Sequence, residues 1–175
     1  VDYMEILGFS DHRSTAAVWY RLLNCGFRIP AGAGTDAMTN FASLRGPVGM
    51  NRVYVHTGAP LNHASWLRAI KAGKTFATNG PLLTLSVNGT EPGTDIPFAL
   101  GRHTMSVRAT MHSIVPVEHL ELVQNGEVVA TVPMSADGKS AAATVQLPVE
   151  KSGWITLRAW SEHATPPILD IYPFA

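Results

Sequence analysis

Cysteine is nearly missing from this chain: Cys25 is the only one in 175 residues, so no disulfide can form within it and stability must come from packing. Charge is scarce too, at 15% of residues, where a soluble domain carries about 25%. Thirteen basic and thirteen acidic residues cancel, and no basic run occurs anywhere. The electrostatic footprint that nucleic acid or an anionic membrane surface requires is therefore missing. No apolar run approaches the ~20 residues of a membrane-spanning helix. The first residues also lack the basic start and long apolar core of a signal peptide, so a cytoplasmic setting is the expectation. What the chain does have is apolar side chains, 46% of the total. With so little charge to cover them, an apolar face that meets another polypeptide is expected, and with it a homo-oligomer. Cys25 falls in an apolar helical stretch and reads as a buried structural thiol.

A chain of this length can bury roughly 70% of its unfolded surface, as one domain or two small ones. Its beginning, Val1 to Gly8, reads as a strand with no polar lead, and Ile168 to Ala175 is an apolar, strand-like finish. The expectation is a piece of a longer polypeptide.

Up to Pro81 strands alternate with helices. Ser14-Thr15 can cap a helix from about Ala16 to Asn24 with Val18, Trp19, Leu22 and Leu23 on one face, stopped by Gly26. Phe27 to Ala33 is a second strand, Met38 to Asn51 a loop, and Arg52 to His56 a third strand. A second helix spans Ala64 to Ala72, with Trp66, Leu67 and Ile70 on one face, and Thr75 to Thr78 is extended again. Strand–helix–strand units of this kind build a mostly parallel sheet, here with too few strands to close a barrel.

From Leu82 the grammar changes to short alternating strands: Leu82–Val87, Thr104–Met111, Leu120–Gln124, Glu127–Pro133, Ala142–Leu147 and Trp154–Trp160. Asn125-Gly126 is a strong hairpin signal, because a type I′ turn needs two residues tolerant of positive φ. Asn88-Gly89 and Asp137-Gly138 are similar. Residues 82–175 thus read as an all-β, immunoglobulin-like sandwich and residues 1–81 as a partial α/β domain, α+β overall.

Candidate site residues cluster in the first half. In RIPAGAGTDAMTN, from Arg28 to Asn40, an apolar extended run passes Ala31, Gly32, Ala33 and Gly34 and delivers Asp36 where strand meets loop. That is the face on which α/β folds build sites, and a metal-ligand role for Asp36 stands level there with a turn cap. Asp11 and His12 follow the first strand and could bind metal or substrate on the same face. The alternative is a helix-capping Asp beside a solvated His. Glu5, an ionisable group in an apolar strand, must find a partner or mark an exposed face. Arg52 could pair with an anionic substrate, or else forms a structural salt bridge. Asn79-Gly80-Pro81 reads as a boundary turn or a pocket rim. His56, His63, His103, His112, His119 and His163 show no chelating spacing. Trp154 and Trp160 share a strand face, as core residues or as a sugar platform. Asn88-Gly89-Thr90 matches a glycosylation sequon that the hairpin already accounts for.

The run YMEILGFSDHRSTAAVWYRLLNCGFRIPAGAGTDAMTN, followed by RVYV, LRAIKAGKTFATNGPLL and VNGTEPG, resembles the C-terminal part of the metallohydrolases related to CehA and McbA. Those carry a PHP-type (polymerase and histidinol phosphatase) domain with an appended β domain, to which GWITLRAWSEH and ILDIYPFA are similar. The resemblance implies a remnant of a PHP-type barrel, a cluster of divalent ions (Zn, Mn or Fe) that activates water, and a small hydrolysable substrate. It implies that Asp36 matches the Asp of a late Asp-x-His motif while Met38 stands in the His position, where a thioether is a poor ligand for such ions. The other ligands belong to an N-terminal half not found in these residues. Two functions follow as expectations: part of a metal-dependent hydrolase, inactive alone, or a non-catalytic β-sandwich binding or assembly module with an α/β packing partner.

Overall fold

A computed structural model describes residues 1–40, 46–58 and 60–175. Among these the chain is mostly β-strand with two helices, arranged in several small sheets without a closed barrel.

The opening strand β1 (Met4–Leu7) runs parallel to β2 (Ala31–Ala33), joined by helix α1 (His12–Asn24). The helix begins one turn earlier than Ser14-Thr15 suggests, because the Asp11 carboxylate accepts from Ser14 N at 2.8 Å and takes the cap. Its buried face is His12, Ala16 and Tyr20, at i, i+4 and i+8, whereas Val18 of the expected face is exposed. Cys25 is exposed, correcting the expected buried thiol: it forms the C-cap, just before Gly26 takes a φ of 87°.

β3 (Arg52–Val55) and β4 (Thr75–Thr78) flank helix α2 (His63–Lys71) but pair antiparallel, correcting the expected mostly parallel sheet. After α2 the chain turns at Gly73, φ 73°, and Lys74 O accepts from His56 N, so β4 returns alongside β3. The middle of the expected loop from Met38 to Asn51, residues 41–45, lies outside the described residues. α2 carries a full capping box between Asn62 and Ser65. It buries Ser65, Ala69 and Ile70, while Trp66 and Leu67 of the expected face are more than a third exposed.

The later strands are β5 (Leu82–Val87), β6 (His103–His112), β7 (His119–Gln124), β8 (Glu127–Thr131), β9 (Ser140–Val149) and β10 (Ile155–Trp160). They form two antiparallel sheets, ordered β5-β6-β9 and β10-β7-β8. Alternating side chains from both sheets meet in one core that includes Leu83, Val107, Leu120, Leu122, Leu147 and Leu157. The β7–β8 hairpin turns at Asn125 and Gly126, both with positive φ (53° and 92°), as a type I′ turn demands.

A second core joins the two halves. Ile6, Leu7, Ala16 and Tyr20 pack with Val123, Trp160, Tyr172 and Phe174. Trp154 lies just outside β10, half-buried and stacked on Tyr20, and Trp160 is buried. The two tryptophans therefore serve packing, and α1 is tied at both ends to the β half. At its C-terminal end Asn24 donates to Asn125 O and accepts from Trp154 Nε1.

Candidate functional site

Parallel pairing of β1 with β2 brings their carboxyl ends side by side, and Gly34 N donates to Leu7 O at 3.0 Å. Buried Thr35 then clasps Asn51: Asn51 N donates to Thr35 Oγ1 at 2.9 Å, Thr35 Oγ1 donates to Asn51 O at 3.2 Å, and Asn51 Nδ2 donates to Gly8 O at 3.1 Å. The segments after β1, after β2 and before β3 thus meet at one end of the small sheets.

Two acidic residues belong to these elements, Asp36 after β2 and Glu5 on β1 itself. Asp36 is exposed and follows Thr35 with a left-handed backbone, φ 52°, a conformation Asp tolerates better than most residues. Glu5, exposed as a residue, folds its carboxyl over Gly8 and Gly34, where a Cβ on either glycine would collide with it. Burial there pushes the Glu5 pKa up. Of the small residues noted in the sequence, Gly34 is required by this close approach, while Gly32 makes room for the Tyr3 ring instead. Asn51 Oδ1 is buried at the same junction with no hydrogen-bond partner among the described residues.

Asp11 and His12 do something else. Tyr172 OH donates to Asp11 Oδ2 at 2.7 Å, and Arg13 N donates to Tyr172 OH at 3.1 Å. Hydrogen bonds from Ser14, then Tyr172, lower the Asp11 pKa to about 2. Burial, and then the Asp11 bond, push the Tyr172 phenol up to about 12. His12 is fully buried, not solvated, beneath the rings of Tyr172 and Phe174. Its Nε2 lies 2.9 Å from Asp170 Oδ2, which also accepts from Asn79 Nδ2 at 2.9 Å. Burial opposes the charge on Asp170, yet the His12 and Asn79 hydrogen bonds prevail and its pKa is lowered. Asp170 is therefore the acceptor and His12 Nε2 the donor, leaving His12 Nδ1 without a partner among the described residues.

A general base must come within hydrogen-bond reach of its substrate. His12 has no such access, so the His12–Asp170–Asn79 cluster is a latch between α1 and the C-terminal segment. Asn79 completes it by donating to Tyr172 O at 2.7 Å and accepting from Phe174 N at 2.8 Å. An open cleft of about 530 Å³ lies above the latch, lined by Asp11, Arg13, Ser14, Arg158, Glu162 and Tyr172 among others. Its charges are largely spoken for: Arg158 is held by Glu121 at 2.7 Å, and the Arg13 guanidinium sits 3.6 Å from the centre of the Trp160 ring.

Among the described residues Arg52 forms no salt bridge. Its Nη1 donates to Gly49 O and Met50 O, at 3.0 and 3.2 Å, and so braces the loop before β3. Met38 is exposed. Among the scattered histidines, His56 pairs with Glu91 and His119 stacks on Trp160. Among the described residues no three His, Cys, Asp or Glu side chains gather closely enough to hold a metal ion. No helix among them is long and apolar enough to cross a membrane.

Asn79, Asp170 and Tyr172 were missed as latch residues because their contacts span most of the chain. The one sequence signal was polarity inside apolar surroundings, Asp170 between Leu169 and Ile171. Compared with family models, with curated proteins and with solved structures, the chain matches none of them.

Proposed function

We propose that this chain carries part of the site of a metal-dependent hydrolase related to the CehA and McbA metallohydrolases. Residues 1–81 are a remnant of a PHP-type barrel and residues 82–175 an immunoglobulin-like sandwich that supports it. The observation that carries this reading is the junction at the carboxyl ends of β1 and β2. Glu5, whose carboxyl lies over Gly8 and Gly34, Asp36, on the segment just after β2, and buried Asn51, whose Oδ1 has no hydrogen-bond partner among the described residues, all belong to the segments that meet there. Oxygen donors on parallel strand ends suit a divalent ion that prefers oxygen. The remaining ligands and the substrate contacts come from residues outside this chain, so the chain alone turns over no substrate. Asp11 and His12 support the site only indirectly, by fixing α1 against the β half.

Paramagnetic Mn²⁺ added to the isotopically labelled chain tests this. Amide signals of residues 34–37 and 5–9 should broaden first, and Asp36→Asn should abolish that broadening. Equal broadening around solvated carboxylates elsewhere, or broadening that Asp36→Asn leaves unchanged, would contradict the reading.

A non-catalytic assembly role for the β half is favoured by one separate observation, the uncharged free edge of β9.

A further inference from the structure

We propose that the free edge of β9 is a self-association surface through which two copies of the chain pair strand to strand, antiparallel, about a two-fold axis. β9 is an outer strand, paired with β6 over ten residues without a bulge. The direction of its backbone groups follows from Ser106 on β6. Ser106 N takes Asn88 Oδ1 and Ser106 O accepts from Asn88 N, both on the β5 side. Ser106 therefore exchanges no ladder bond with Gln146 opposite it. Antiparallel alternation then turns the N–H and C=O of Ala142, Thr144 and Gln146 outward, away from the sheet.

Both ends of the strand agree with this assignment. Ser140 O, outward by the same alternation, accepts from Ser135 N at 2.8 Å, and Ser140 N donates to Ser135 Oγ at 3.0 Å. At the other end Pro148 has no N–H to offer, as suits an outward edge position. Between them the outward amides of Ala142, Thr144 and Gln146 have no hydrogen-bond partner among the described residues.

The occupant that fits is an identical strand. Edges are ordinarily blunted by charge, a bulge or a covering segment. β9 carries no charged side chain from Ser140 to Val149, so two copies laid antiparallel meet no like charges. β8, an outer strand of the second sheet, is only five residues long, opens with Glu127 and has an irregular register with β7. An axis through Thr144 sets it against the second copy's Thr144, and Ala142 against the second copy's Gln146. Each copy's three outward amides then find the other's three outward carbonyls. Ala143 and Val145, half-buried at the rim of the core, become covered. Arg108, across β6 from Thr144, comes no closer to its counterpart than three strand spacings, roughly 14 Å. That exceeds the screening length of about 8 Å at physiological salt. The pairing requires nothing of the hydrolase site.

Light scattering on a concentration series of the full chain tests it. The mass should rise from that of one chain, 18.8 kDa, to that of two and no further. Thr144→Pro removes an outward N–H without touching the β6 ladder, and Thr144→Lys places like charges on the axis. Each should weaken dimerisation at least tenfold with the far-UV spectrum unchanged, and the Lys variant serves if the Pro variant does not fold. Trp66→Glu, on the exposed α2 face, should leave dimerisation unchanged. A monomer at every concentration, growth beyond two copies, or association lost in Trp66→Glu but kept in Thr144→Lys would each overturn the proposal.

Discussion

Between Leu82 and Trp160 six strands close two antiparallel sheets around one core, whereas among the described residues up to Thr78 four short strands pair only two by two. The β half buries Val107, Ala109, Leu120, Leu122 and Val123 completely, while the first half leaves Phe9, Phe27, Val48, Leu61, Trp66 and Leu67 exposed. Of the first half's side chains, Ile6, Leu7, Ala16, Tyr20 and Ala77 are buried in the core shared with β7, β10 and the C-terminal segment. The difference teaches where the stability of the strand-end junction comes from. Glu5, Asp36 and Asn51 stand on elements whose apolar support is largely borrowed from the β half, through α1 and the latch.

The sharpest way to break that dependence is Phe174→Ala. Phe174 is 1% exposed and lies in the shared core, so its truncation should cost about 3–5 kcal/mol in urea unfolding. It should also separate the loss of α1 helicity from the loss of β structure. A single unshifted transition would show that the first half stands by itself. Next comes Asn79→Ala, which leaves Phe174 N and Tyr172 O without their partner inside the latch. A loss on the order of 1–3 kcal/mol is expected, and no loss would mean the latch couples nothing.

A pH titration sharpens the same comparison at α1. The Asp11 pKa is held at about 2, below its ordinary 3.8. The folded state therefore binds this proton less tightly than the unfolded one. Its contribution is whole above about pH 4 and is lost as the pH falls toward about 2. Asp11→Asn should flatten the stability profile across that window, measured by urea unfolding at each pH; equal slopes would contradict the assignment. Least affected should be Trp66→Ala, a side chain 37% exposed on α2, with a change within about 0.5 kcal/mol.

How much of this was legible depended on the range over which each feature is decided. The strands after Leu82 and the Asn125-Gly126 turn are local, set by alternation and by residues that accept positive φ. Their ends agree with the sequence reading within a few residues. The start of α1 was misplaced because Asp11, Ser14 and Thr15 can all cap, and it is Asp11 that takes the cap by accepting from Ser14 N, its other carboxylate oxygen being held by Tyr172 far along the chain. The outward faces of both helices were misread for a related reason. Apolar residues on a 3.6 period were assigned to a core, but β1–β4 offer too little surface to cover Val18, Trp66 and Leu67. His12 pairs with Asp170, 158 residues away, and the one local trace of that pairing was a carboxylate between Leu169 and Ile171. The small residues before Asp36 were legible as a close approach, and the groups that approach are the Tyr3 ring at Gly32 and the Glu5 carboxyl at Gly34.

Native-state hydrogen exchange tests the division between the halves most directly. The account predicts that amides of β6, β7 and β10 exchange only through global unfolding. Those of β1 to β4 should open through a smaller step, which Asn79→Ala makes easier while leaving the fastest-protected core strands with their order unchanged. Amides of β1 to β4 that exchange as slowly as Val107 and Leu122 would contradict it.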